Sequence, residues 1–108
     1  MDMTEQGWTH EQLADGAWAV SGQIDFSVSA TFRAFMRALV AGARSDLRFD
    51  LGRLSYLDSS GLAVLLEARR LLAARDLKLT VTAVTPQVGK LFALTQVGPL
   101  FGLAGEGE

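Results

Sequence analysis

Tyr56-Leu57-Asp58-Ser59-Ser60-Gly61-Leu62 is the stretch on which the reading of this chain turns. It leads from an apolar segment into a cluster of helix-start residues. The short side chains of Asp and Ser accept hydrogen bonds from the N–H groups that a first helical turn leaves unpaired. Gly61 lets that turn lie close to the backbone beneath it. Downstream, residues 62–75 are rich in Leu, Ala, Arg and Glu, all good helix formers. Leu62, Leu65, Leu66, Ala68 and Leu72 supply an apolar face, while Glu67, Arg70 and Arg75 mark solvent. Upstream, residues 47–51 read as a buried strand in which Phe49 and Leu51 alternate with charge. Residues 52–57 read as the connection between that strand and the helix.

The same pattern recurs on either side. Toward the N-terminus, residues 8–13 and 17–20 are short strand segments around Ala14-Asp15-Gly16, where Asp-Gly suits a tight hairpin turn. Ser21-Gly22-Gln23-Ile24-Asp25 reads as a loop. Val28, Phe32, Phe35, Met36, Leu39 and Ala43 then fall on one helix face, with Arg33, Arg37 and Arg44 off it. Ser27 or Ser29 is the expected cap of that helix, and Gly42 weakens its end. Toward the C-terminus, residues 79–84 alternate and are β-branched, as in a strand. Pro86 fits the first turn of a third helix bearing Val88, Leu91, Phe92 and Leu94, which Gly98-Pro99 is expected to stop. Helices alternating with strands imply right-handed crossovers and parallel pairing, and the opening hairpin adds one antiparallel pair. The expectation is a mixed α/β sheet of four or five strands, with helices starting near Ser29, Ser60 and Pro86.

Composition bounds the rest. The 108 residues suit one domain, residues 1–108, with a core over about 7–102 and a frayed tail at 103–108. Hydrophobic residues at 49% and charged residues at 20% exclude a disordered chain. With no cysteine, disulfides and thiolate metal sites are impossible. No apolar run approaches the ~20 residues a membrane helix needs, and Met1-Asp2-Met3-Thr4-Glu5 is acidic where a secretory leader is basic. A cytoplasmic location without direct membrane insertion is therefore expected. Ten basic residues against twelve acidic ones give a net charge of −2, which supplies no electrostatic pull toward nucleic acid. Arg69-Arg70, the only adjacent arginine pair, reads as a solvated helix face.

Few residues offer catalytic chemistry. His10 is the single histidine, with no partner base or nucleophile near it in sequence. Asp25, Asp50 and Asp58 each adjoin an expected strand end, but their spacing matches no metal loop. Gly52 and Gly61 are isolated rather than part of a phosphate loop, and the serines lack a nucleophile-elbow setting. No enzyme activity and no cofactor are expected. A hydroxyl exposed at a helix N-terminus, by contrast, sits where N–H groups and the positive end of the helix dipole favour an anion. A phosphate on such a serine is tolerated without unfolding the domain.

The segment at 56–62 resembles the signature of the STAS domain, the family of sulphate-transporter and anti-sigma-factor-antagonist domains. It is most similar to the free-standing anti-anti-sigma members. Three further stretches share the resemblance in the right order: Gly22-Gln23-Ile24-Asp25, Phe49-Asp50-Leu51, and the segment from Pro86 to Thr95. Gln23 replaces the family's usual Glu, and Gln96 stands where a glycine commonly ends the third helix.

The resemblance implies a STAS-like sheet with three or four helices packed mainly on one face. It also implies Ser59 as a phosphorylated residue. Asp25, Phe26, Tyr56, Asp58, Ser59, Ser60, Gly61 and Leu62 would form the partner-binding surface. Core is the alternative reading for Phe26, and Tyr56 is balanced between the two roles. The implied partners are an anti-sigma factor that is also an ATP-dependent serine kinase, and a phosphoserine phosphatase. The chain itself would be a monomer or weak dimer. The alternative is a constitutive subunit that binds the ATPase of a lipid-transporting ABC complex; a phosphoswitch in chemotaxis-like signalling would share the mechanism.

Overall fold

The computed structural model describes residues 7–103; the acidic N-terminal segment and residues 104–108 of the expected tail lie outside the described residues. β1 (Trp8–Ala14) and β2 (Ala17–Ile24) form the expected antiparallel hairpin. A 3-10 turn at Phe26–Val28 leads into α1 (Ser29–Gly42), followed by β3 (Leu47–Leu57) and α2 (Ser59–Ala73). β4 (Leu79–Val84), α3 (Pro86–Leu94) and a second 3-10 turn at Gly98–Phe101 complete the described chain. The four strands lie in the order β1-β2-β3-β4, with β2, β3 and β4 parallel. The fold is thus α/β, a mixed four-stranded sheet with three helices, and helices begin at Ser29, Ser59 and Pro86.

Alternation along β3 buries Leu47, Phe49 and Leu51 and leaves Arg48 and Gly52 exposed. α1 and α2 pack against each other over the apolar face, burying Phe32, Met36 and Val40 from one helix and Leu65, Ala68 and Leu72 from the other. Burial of each such side chain contributes about 1.5–3 kcal/mol. Phe92 of α3 meets Phe101 edge to face, which closes the core beside β4.

Two of the three parallel strands, β2 and β3, are longer than expected, and each has a local cause. Gly22 takes a φ of +97°, and a side chain there would run into the Gly7 carbonyl and the Trp8 backbone. A glycine among small polar residues looks like a loop, yet here it keeps β2 paired as far as Ile24. On β3 the buried positions are two apart at Leu47, Phe49 and Leu51, then three apart at Leu51, Leu54 and Leu57. The pairing explains the change. Ala19 and Ser21 face Asp50 and Arg53, and Gly22 and Gln23 face Leu54 and Tyr56, so β3 takes up one extra residue at each of two bulges. Asp50 therefore lies within β3, where it accepts a hydrogen bond from the Gly52 N–H, and not at a strand end.

The helix ends depart from expectation as well. Neither Ser27 nor Ser29 caps α1: its N-cap is Val28, and the Ser29 hydroxyl donates back to the Phe26 carbonyl. α2 begins at Ser59, one residue from the expected start at Ser60. It ends with Asp76 at a φ of 59°, where the Asp76 and Leu77 N–H groups return to the Ala73 and Leu72 carbonyls. α3 ends in the same way, before Gly98-Pro99 is reached. Gln96 takes a φ of 61°, and the Gln96 and Val97 N–H groups bond the Ala93 and Phe92 carbonyls. Gln96 thus adopts the left-handed conformation that glycine adopts without cost.

Several arginines expected to be merely solvated make specific contacts. Arg75 donates to the Val40 and Ala43 carbonyls at the end of α1. Arg69 donates to the Leu100 carbonyl at 3.0 Å. Glu67 is not free in solvent either, since Arg37 donates to both of its oxygens, at 3.2 and 2.8 Å. Leu103, the first residue of the expected tail, donates its N–H to Gly98 at 3.0 Å and packs on the core. No helix among the described residues is long and apolar enough to cross a membrane.

Candidate functional site

Because β2, β3 and β4 are parallel, their C-terminal ends lie on one edge of the sheet, and the site is built there. β2 ends at Ile24 beside Leu57, the last residue of β3, and the Asp58 N–H donates to the Ile24 carbonyl at 3.3 Å. Thr85, at the end of β4, donates to the Leu54 carbonyl at 2.8 Å and accepts from the Val88 N–H, so it caps α3 on the same edge.

Asp58 organises this edge. It is the N-cap of α2, and its Oδ1 accepts from the Ser60 N–H at 3.0 Å, the Gly61 N–H at 3.2 Å and the Ser60 hydroxyl at 2.5 Å. Its other oxygen, Oδ2, accepts from the Phe26 N–H at 3.1 Å, which fastens the loop after β2 to the start of α2. Burial pushes this carboxyl up. The bonds from the Ser60 hydroxyl and the Gly61, Ser60 and Phe26 N–H groups outweigh burial and hold it below the ordinary aspartate range. Asp58 is therefore charged at neutral pH.

The two adjacent serines differ. The Ser60 hydroxyl is tied to Asp58 and half-buried. Ser59, the first residue of α2, is exposed. Gly61 is what lets α2 start so low over the sheet: a Cβ there would collide with the Leu57 side chain and lie 2.9 Å from Ile24 Cγ2.

The remaining predicted residues divide into two groups. Phe26 is 80% exposed and Tyr56 40% exposed, so neither belongs to the core. Asp25 is also exposed; its Oδ1 accepts from the Ser27 N–H at 2.9 Å and the Ser27 hydroxyl at 2.6 Å, which shapes the 3-10 turn that carries Phe26. Gly61 and Leu62, expected on the contact surface, are buried instead. They support the surface from beneath because they face the sheet on the first turn of α2. The structure thus brings Phe26 and Asp58 together across 32 residues of sequence, with Ser59 beside them.

Asp50 lies apart from this cluster. It lies on β3 eight residues before Asp58, two of them taken up by the bulges, about 20 Å at the usual strand rise, so the three aspartates considered at sequence level do not converge. His10 lies on β1 opposite Val20 and stacks on Phe35, with ring centroids 4.2 Å apart. It belongs to a cluster with Trp8, Trp18 and Phe35 that pins the edge strand to α1. His10 is exposed, as a surface residue should be, but sequence reasoning missed its aromatic contacts, for which the two-residue spacing of Trp8 and His10 along β1 is the available signal.

A mixed sheet whose parallel strands deliver a helix start and an exposed serine to one edge, beneath a two-helix layer, is the architecture of STAS domains. A family model described as "Mlab, STAS domain" matches residues 9–102, and the chain belongs to the STAS domain family. Among solved structures it is similar to the anti-sigma factor antagonist SpoIIAA in its unphosphorylated form. The identity is 26%, with 92% of this chain and 89% of that one covered and a TM-score of 0.68. An anti-sigma factor antagonist from Mycobacterium paratuberculosis is also 26% identical, over 91% of this chain and 86% of that one, with a TM-score of 0.73. The phosphorylated form of the Bacillus cell fate determinant SpoIIAA shares the fold, at 24% identity, 92% coverage of each chain and a TM-score of 0.63.

Proposed function

We propose that this chain is an anti-sigma factor antagonist, a non-catalytic protein-binding switch in which phosphorylation of Ser59 ends partner binding. The observation that carries the reading is the asymmetry of the two serines. The Ser60 hydroxyl is engaged by Asp58, while Ser59 is exposed on the first turn of α2, and the loop that carries the exposed Phe26 ring is tied to Asp58. Exposure lets a kinase reach Ser59, and the exposed apolar ring on the tied loop gives a partner an anchor. Likeness to two anti-sigma factor antagonists at 26% identity supports the same reading. The partner is an anti-sigma factor with serine-kinase activity, and a phosphatase resets the switch.

Phosphate on Ser59 adds about −1.5 to −2 charge next to the Asp58 carboxylate. The α2 N-terminus offsets about 0.3–1 kcal/mol of that cost, so the domain stays folded. At an interface, burying the phosphate without a cation costs several kcal/mol, and each 1.4 kcal/mol is about a tenfold loss of affinity. Ser59→Asp should therefore weaken binding by about a hundredfold while the melting temperature hardly moves, and Ser59→Ala should bind normally.

The test is to purify the protein from its own cells, map the phosphate, and titrate the co-purifying ATPase with both variants. Phosphate on Ser60 or Ser55, or undiminished binding by Ser59→Asp, refutes the switch. A second reading, a constitutive subunit docked on the ATPase of a lipid-transporting ABC complex, is favoured by Phe26, whose exposed ring does not depend on Ser59 chemistry. In that case the co-purifying ATPase is a transporter subunit, and Phe26→Ala weakens its binding while Ser59→Asp does not.

A further inference from the structure

The helical layer has a charge of its own. α1 contains no acidic residue, and α2 contains only Glu67. Against that single carboxylate stand Arg33, Arg37, Arg69 and Arg70, a balance of +3 in a chain of net charge −2, which leaves −5 on everything else. Random scatter of a few arginines over a solvated face would not bring them to one point, yet two of these meet at Glu67, and Arg70 lies three residues along α2 from it. Arg37 grips Glu67 bidentately, and Arg33 Nε lies 3.7 Å from Glu67 Oε1. The Arg37 hydrogen bond is the main cause that holds the Glu67 carboxyl below its ordinary range; burial opposes it, and the charges of Arg37, Arg33 and Arg70 add to it.

One carboxylate neutralises one guanidinium. Two positive charges are left in excess where α1 and α2 meet, and both Arg37 and Arg70 are exposed. Glu67 and Arg70 lie eight and eleven residues along α2 from Ser59, about 12 and 16 Å at the helical rise, so this face is separate from the Ser59 edge.

We propose that the outer face of α1 and α2, centred on Arg33 and Arg70, is a docking surface for an acidic protein segment. Charge complementarity selects the occupant. Guanidinium groups pair with carboxylates in a planar, two-bonded geometry, which Arg37 already displays on Glu67. A membrane suits the face less well. Binding to anionic lipid needs inserted apolar side chains as well as charge, and the exposed large apolar residues Leu13, Phe26, Tyr56, Leu94 and Leu100 all lie outside α1 and α2. The net negative charge of the chain also opposes approach to an anionic bilayer. The inference stands independently of the role of Ser59.

The experiment uses a fluorescein-labelled deca-glutamate peptide, with binding read by polarisation in low salt and again in ~0.3 M salt. Arg33→Gln/Arg70→Gln should weaken binding by about tenfold or more, and added salt should abolish it. Arg48→Gln/Arg53→Gln, which removes the same charge from exposed positions on β3, should change it less than about twofold. Thermal melts of both variants, within about 2 °C of the wild type, separate lost binding from lost folding. Equal losses in the two double variants would reduce the effect to net charge and overturn the proposal. Sedimentation with phosphatidylserine vesicles that depends on Arg33 and Arg70 would overturn it in favour of a membrane. Salt-sensitive self-association lost in Arg33→Gln/Arg70→Gln would overturn it in favour of a second copy of this chain.

Discussion

The two ends of α2 are held in opposite ways. At the N-terminal end one carboxylate, Asp58, accepts hydrogen bonds from three N–H groups and one hydroxyl, and Gly61 is packed onto Leu57 and Ile24 with no room for a side chain. At the C-terminal end the chain turns through Asp76 in a left-handed conformation, and the neighbouring Arg75 reaches away to bond the last carbonyls of α1. The first end is fixed from within, around a small set of atoms that together position Ser59. The second end carries avoidable strain and serves another helix. Substitutions at the first end should therefore cost both stability and site geometry. Some substitutions at the second end should raise stability and leave the site alone.

The largest effect is expected from Gly61→Val. Its branched side chain cannot fit between α2 and the ends of β2 and β3, and overpacking of this kind costs about 3 kcal/mol. A chemical denaturation curve would show it as a lower midpoint. An unchanged midpoint would mean that the close approach of α2 to the sheet is not required.

Asp58→Ala should come next, at about 2 kcal/mol, the upper range for loss of an N-cap, because the Phe26 N–H loses its partner along with the helix N–H groups. The pH dependence sharpens the point. The folded-state carboxyl is held below its unfolded value of about 4, so its contribution is complete above that value and is lost as pH falls through the lower folded value. The stability difference between wild type and Asp58→Asn should accordingly be constant from about pH 5 to 7 and shrink below about pH 4. A difference that stays constant down to pH 2 would show that charge on Asp58 does not contribute.

The smallest change should have the opposite sign. Asp76→Gly relieves a non-glycine residue at a φ of 59° and should raise stability by about 0.5–1 kcal/mol, with Ser59 exposure unaltered. Gln96→Gly at the end of α3, at a φ of 61°, should do the same. Lower melting temperatures for both variants would show that these side chains make contacts worth more than the strain.

How much of this was legible in the sequence depended on the distance over which each signal acts. Asp58-Ser59-Ser60-Gly61 and Thr85-Pro86 mark helix starts through local hydrogen bonding, and both appeared where the residues indicated. α1 starts at Ser29 as expected, but its cap was misread because the Asp25 carboxylate caps the short turn before it, leaving Ser29 to bond backward. β3 was cut short at Leu51 because strand reading relies on a period of two, and each bulge breaks that period. The bond from the Phe26 N–H to Asp58 had no sequence signal at all, since it exists only once β2 and β3 lie side by side. For the same reason the contacts of Arg69, Arg75 and Glu67 were invisible: each joins elements about 30 residues apart.

The two bulges on β3 also constrain how the length of this chain can vary. Between Ala19 and Ile24 the chain advances five residues on β2, while its neighbour advances seven, from Asp50 to Leu57. With those two surplus residues absorbed, Leu57, and with it Asp58, lies level with the end of β2. Each surplus residue is absorbed where the buried positions lie three apart, so losing one at a bulge would restore the period of two and leave Leu57 buried and level with Ile24. Loss of a single residue should therefore be tolerated at the two bulges, whereas a one-residue change in the unbulged part of β3, between Leu47 and Asp50, would turn the following residues to the opposite side of the sheet.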